Sequence, residues 1–208
     1  GHSGAEIDKN RANANKLMGR FLYGLKKKAE YALISLTGGQ KDNAITRECT
    51  AEFLTDSVAE VKAYAKELQE QLREEYTGSD ENITFEITEK GTATAEVLHP
   101  TSQEKIVFYL QNVPFGIQKM SGTIKGLVET SSNIGILRLD RDELFASSSV
   151  RSSVDAACSA LSDKIEYLTE FLGGDYEVQG AYPAWEYRKE SPLRDKMVAV
   201  FEEMYGHK

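Results

Sequence analysis

Three stretches of this 208-residue chain combine residue types able to bind or polarise a small ligand. Gly1-His2-Ser3-Gly4 sets an imidazole between glycines just ahead of a helical pattern, where free backbone amides favour anions. On pattern alone the same residues read as a surface histidine near a terminus. Gly38-Gly39-Gln40-Lys41-Asp42-Asn43 is a polar loop between two apolar runs. It either carries backbone and an amide close to a ligand or is a plain hairpin turn. Arg151 sits in Ser148-Ser149-Val150-Arg151-Ser152-Ser153, where a strand pattern feeds a helix pattern. A guanidinium there suits a forked grip on a carboxylate, and an ordinary surface arginine is the plainer reading.

The rest of a catalyst is missing. The histidines are His2, His99 and His207, and no His-x-Asp, His-Glu-x-x-His or Cys-x-x-Cys spacing occurs. Gly122 and Gly126 lack the spacing and following Lys-Ser/Thr of a phosphate loop, and no Gly-x-Ser-x-Gly elbow is present. Cys49 and Cys158 fall on a strand pattern and on the apolar stripe of a helix, so both read as packing groups. Two cysteines build neither a disulfide framework nor a four-thiolate metal site, which favours a reducing, intracellular setting. With 25 Lys+Arg against 33 Asp+Glu the net charge is −8, which argues against nucleic acid or an anionic membrane as partner. Hydrophobic residues at 40% and charged residues at 28% describe a globular chain, and no apolar run approaches the roughly 18 residues of a spanning helix.

The elements that must position these groups follow from periodicity. A helix is expected from Asp8, as cap, to about Lys28, then strands over 31–36 and 47–54, and a helix after Asp56 with Val58, Val61, Ala65, Leu68 and Leu72 in one stripe. Alternation over 82–90 and 92–98 suggests a hairpin through Lys90-Gly91, followed by a helix over 102–110 capped by Ser102. A β-rich stretch over 124–149 is expected to break at Ser131-Ser132-Asn133 and at Asp140-Arg141-Asp142. A helix starting at Ser152 or Ser153 and ending at Gly173-Gly174, a strand over 176–181 and a helix opened by Pro192 complete the chain. Trp185 and Tyr187, near Pro183, are expected to pack between that strand and the last helix. The order suits an α+β fold, an antiparallel sheet with helices packed on one face.

Read together, the weak signals gain weight. Gly1 to Ile7, Asn13-Ala14-Asn15-Lys16-Leu17 and Arg20-Phe21-Leu22 closely resemble the aminoacyl-histidine dipeptidases, or cytosol non-specific dipeptidases, of the dinuclear-zinc metallopeptidase superfamily. Gly38 to Glu48 is similar to the family's Gly-Gly-x-Lys-x-Asn-Ala-Ile-Pro-Arg-Glu motif, with Thr46 in place of the proline, a change expected to loosen the turn. Val128 to Gly135, Ser149 to Ser153, Tyr182 to Trp185 and Ser191 to Leu193 also match, in order.

The resemblance implies a lid or dimerisation domain, with ferredoxin-like elements, over 1–182 and a segment over 183–208 returning to a catalytic domain. It implies that His2 polarises the scissile carbonyl, that Asn43 contacts substrate, that Arg151 grips the terminal carboxylate and that Asn133 is a fourth contact. No metal ligand is expected in this chain. Two zinc ions, a metal-bound water and a carboxylate base would belong to the catalytic domain of the full-length enzyme. The implied partners are an Xaa-His or other dipeptide and a second copy of the chain, in the cytoplasm. A start at Gly1, without an initiator methionine, reads as a piece of a longer protein with one sheet edge left open. A non-catalytic assembly module with this fold, or the lid of a hydrolase acting on acylamino acids, are the competing readings.

Overall fold

A computed structural model describes residues 1–141, 143–184 and 190–207; Trp185 and Tyr187 lie outside them. The described elements are α1 (Ala14–Leu25), β1 (Ala32–Gly38), β2 (Cys49–Leu54), α2 (Val58–Glu75), α3 (Pro100–Asn112), β3 (Gly116–Met120), β4 (Val128–Asp140), β5 (Glu143–Ser152), α4 (Asp155–Phe171) and α5 (Pro192–Tyr205). All ladders are antiparallel, which makes the fold α+β. One apolar cluster gathers Phe21, Leu22 and Leu25 of α1, the α2 stripe, and Ile106, Val107 and Leu110 of α3 against Leu33 and Leu36 of β1 and Ile134, Leu137 and Leu139 of β4. Burial of these side chains is the main stabilising term.

Strand β4 organises the sheet. One of its sides pairs with β5 from Thr130–Ser152 to Asp140–Glu143. The other side pairs with β3 up to Ser132 and with β1 only from Leu137 onward. Between those ladders, among the described residues, no strand pairs with β4 on that side, and side chains reach the carbonyls of Ile134 and Gly135 there. Asn13 and Asn15 donate Nδ2 to the Ile134 oxygen at 2.9 and 3.3 Å, and Thr46 donates Oγ1 to the Gly135 oxygen at 2.9 Å. Gly135 is the extra residue of a bulge between Ile134 and Ile136.

Several local expectations are corrected by such competition. Asp8 does not start α1: a 3-10 turn over Ile7–Lys9 ends at Asn10 in the left-handed region (φ 52°), and Asp80 binds the Ala12 amide at 2.8 Å. Asn13 is the cap, accepting from the amides of Asn15 and Lys16. His99, not Ser102, caps α3, its Nδ1 accepting from Thr101, with Pro100 in the first turn. Helix α4 starts at Asp155, because Ser152 Oγ takes the Val154 amide and Val154 holds the cap position. Residues 82–98 form no ladder, because α2 side chains serve that backbone: Arg73 Nε donates to the Ile83 oxygen and the Phe85 amide donates to Gln69 Oε1, both at 2.8 Å. Ile83, Phe85 and Ile87 still pack on the core. Strand β4 runs unbroken through Ser131-Ser132-Asn133, with an irregularity at Gly135; it ends at Asp140 and β5 starts at Glu143, and Asp142 of the second expected break lies outside the described residues. Residues 176–181 are not a strand; Tyr176 instead shares a 2.7 Å hydrogen bond with Ser162 on α4.

Lys16 ties α1 to α3. Its ammonium donates to the carbonyls of Leu110, Gln111 and Val113 at the end of α3, and burial pushes its pKa down to about 8. Helix α5 opens as expected at Pro192, capped by Ser191, but buries no residue: Leu193, Met197, Phe201 and Met204 line an open apolar hollow. No helix among the described residues is long and apolar enough to cross a membrane.

Candidate functional site

The N-terminal segment lies against the loop after β1. The Ser3 amide donates to the Asn43 oxygen and the Ile45 amide to the Gly1 oxygen, both at 2.9 Å, so His2 forms a bridge with Ala44. The chain then turns back on itself: the Glu6 amide donates to the His2 oxygen at 2.9 Å, and the His2 amide donates to Glu6 Oε2 at 2.8 Å. That second bond is the main reason the Glu6 carboxyl sits below its usual pKa.

Within the turn the His2 ring is oriented by backbone. Its Nδ1 accepts from the amides of Gly4 (3.0 Å) and Ala5 (3.2 Å). A nitrogen accepting two N–H groups carries a lone pair, so the ring proton sits on Nε2, which makes no hydrogen bond among the described residues. The result is an exposed, pre-oriented donor.

Arg151 comes to the same place from β5, where it faces Ser131 of β4. A Cβ placed on Gly4 would lie 3.1 Å from His2 Cε1 and 3.4 Å from Arg151 Cζ, so imidazole and guanidinium both rest against that glycine. Arg151 is half-buried with Nε fully enclosed and unpartnered, and no carboxylate among the described residues pairs with it. A guanidinium without a counter-ion among the described residues is suited to an incoming carboxylate.

Asn43 is exposed, and its backbone is fixed by the Ser3 bond and by Asp42 Oδ1 at 2.8 Å; its carboxamide has no partner among the described residues. Asn133 is placed differently. It is 1% exposed, its Oδ1 accepts from Asn13 Nδ2 at 3.0 Å, and its own Nδ2 donates to the oxygens of Asp42 (3.0 Å) and Ala44 (2.9 Å). His2, Arg151 and the backbone of Asn43 thus converge, while Asn133 lies beneath the loop.

Sequence reasoning missed the support. Gly39 (φ 72°) lies so close to Gly135 that a Cβ would meet its carbonyl oxygen at 1.8 Å, and a Cβ on Gly135 would meet the Asp42 oxygen at 2.3 Å. The second glycine of the loop is therefore set by backbone meeting backbone. Thr46 ties the loop to its surroundings: its hydroxyl accepts from Asn15 Nδ2 at 3.2 Å and donates to the Gly135 oxygen at 2.9 Å. The Asn13-Ala14-Asn15 spacing was the available signal for a cap with a second task. Cys49 is a packing group, its thiol pushed up to about 12 by burial. Among the described residues no three His, Cys, Asp or Glu side chains gather as metal ligands.

Residues 1–80 match the family described as a peptidase dimerisation domain. Over its whole length the chain resembles a segment of the aminoacyl-histidine dipeptidases. It is 29% identical to the cytosol non-specific dipeptidase of Escherichia coli (strain K12), across 99% of this chain and 43% of that protein. The crystal structure of the aminoacylhistidine dipeptidase from Vibrio alginolyticus superposes with a TM-score of 0.84 at 31% identity, over 100% of this chain and 43% of that one. The chain therefore spans less than half the length of these relatives.

Proposed function

We propose that this chain is the lid and dimerisation domain of a metal-dependent dipeptidase acting on Xaa-His and other dipeptides. The observation that carries the reading is the meeting of His2 and Arg151 at Gly4. The Arg151 guanidinium takes the dipeptide's terminal carboxylate and so limits substrates to short peptides. The His2 Nε2–H donates to the carbonyl oxygen as charge builds on it, and because Gly4 and Ala5 already orient the ring, little reorganisation opposes that step. Asn43 offers its free carboxamide to the peptide. The attacking water, its base and any metal belong to parts of the protein outside these 208 residues.

The apolar face of α5 packs, in this reading, on that catalytic part. β2 and β5 each pair on one side only among the described residues, which suits edge-to-edge association of two copies. The name of the Escherichia coli relative supports a cytosolic location. The open edges and the α5 face also fit a pure assembly module, and activity separates the two. The purified 208-residue chain is expected to leave carnosine and similar dipeptides intact with or without added zinc, while the full-length protein cleaves them. Hydrolysis by the chain alone, with contaminating peptidase excluded, contradicts the proposal, as does a full-length protein that cleaves no dipeptide.

A further inference from the structure

We infer that Asn133 and Asn13 are positioning residues, a buried carboxamide pair that sets the placement of His2 and Asn43 without touching the substrate. The inference rests on the roles proposed for those two groups. Asn133 at 1% and Asn13 at 0% exposure have no surface to offer a ligand. Both hydrogens of each carboxamide are already used: Asn13 donates to Asn133 Oδ1 and the Ile134 oxygen, and Asn133 donates to the oxygens of Asp42 and Ala44.

The targets of Asn133 are the carbonyls on either side of Asn43. That residue's own carbonyl receives the Ser3 amide, and Ile45, next to Ala44, donates to Gly1. His2 lies between Gly1 and Ser3, so both of its neighbours hang from the segment that Asn133 holds. Asn13 anchors the far end, because its Oδ1 caps α1 while its Nδ2 reaches β4. A rigid helix start is thereby linked, through two amides, to the donor and the amide that meet the peptide.

Replacing nitrogen by oxygen tests the link with little change of shape. Asn133→Asp sets a carboxylate oxygen against two carbonyls; Asn13→Asp keeps the capping acceptor, so α1 retains its start, and removes the two donations. In the full-length dipeptidase each variant is expected to lower kcat about 100-fold with a much smaller change in KM, the scale of roughly 1 Å of misplacement. In a His2→Ala/Asn43→Ala background the same changes are expected to lower kcat by less than about 3-fold, because the groups they position are gone. Unchanged kcat in the single variants, or a full further loss in the double background, overturns the inference.

Hydrogen exchange of the Ser3 and Ile45 amides in the full-length enzyme is a second readout. Lost protection there in Asn13→Asp, with β4 and β5 still protected, supports the inference; retained protection overturns it. If His2→Ala/Asn43→Ala itself leaves kcat intact, the proposed function has failed, and the exchange measurement still decides whether the pair positions the loop.

Discussion

Replacing Arg151 by methionine in the full-length protein is expected to lower kcat/KM for a free dipeptide by about 10²- to 10³-fold, mostly as a rise in KM. The size follows from losing one enclosed charge-assisted pair, about 3–4 kcal/mol. In the proposed role the terminal carboxylate is bound in ground state and transition state alike, which puts the loss on KM. Arg151 has no ion-pair partner among the described residues, so its removal leaves no internal charge orphaned and the fold should persist. Arg151→Lys keeps the charge without the fork and is expected to recover only part of the loss. Steady-state kinetics on a dipeptide and its C-terminal amide check the claim: methionine should erase the preference for the free acid, and a preference that survives would remove Arg151 from carboxylate binding.

The second large effect is expected at His2. Its Nδ1 is occupied by two amides, so Nε2–H is the donor the ring can present. Removing one preorganised donor to a developing oxyanion costs about 10²- to 10³-fold in kcat. His2→Ala should therefore lower kcat by that amount with KM nearly unchanged, the reverse of the Arg151 pattern. A loss confined to KM would make His2 a binding group only. The two partitions, measured side by side, separate the grip on the carboxylate from the push on the carbonyl.

What the sequence revealed depended on how local the deciding interaction was. The stripe of α2 and the Pro192 start of α5 were legible because their signals lie within a few residues. Asp8 looked like a helix cap because nothing nearby shows that Asp80, far along the chain, takes the Ala12 amide. The alternation over 82–90 correctly marked Ile83, Phe85 and Ile87 as core-facing but suggested a hairpin, since side chains of α2 satisfying a backbone leave no periodic trace. At the site, His2 and Arg151 were visible as residue types, and their meeting at Gly4 was not, because it depends on β5 delivering the guanidinium to a turn at the other end of the chain. Asn133 was expected among the substrate contacts. Its depth beneath the loop comes from the gap between β3 and β1 along β4, a feature of strand lengths rather than of local pattern.

The most direct test of the central claim is a structure of the full-length protein with an uncleavable dipeptide analogue bound. The analogue's terminal carboxylate should sit about 3 Å from the Arg151 guanidinium, with the oxygen of its scissile-bond mimic within hydrogen-bond reach of His2 Nε2 of the same or the partner subunit. An analogue bound with its carboxylate elsewhere, and with both His2 and Arg151 facing only solvent, would contradict the account.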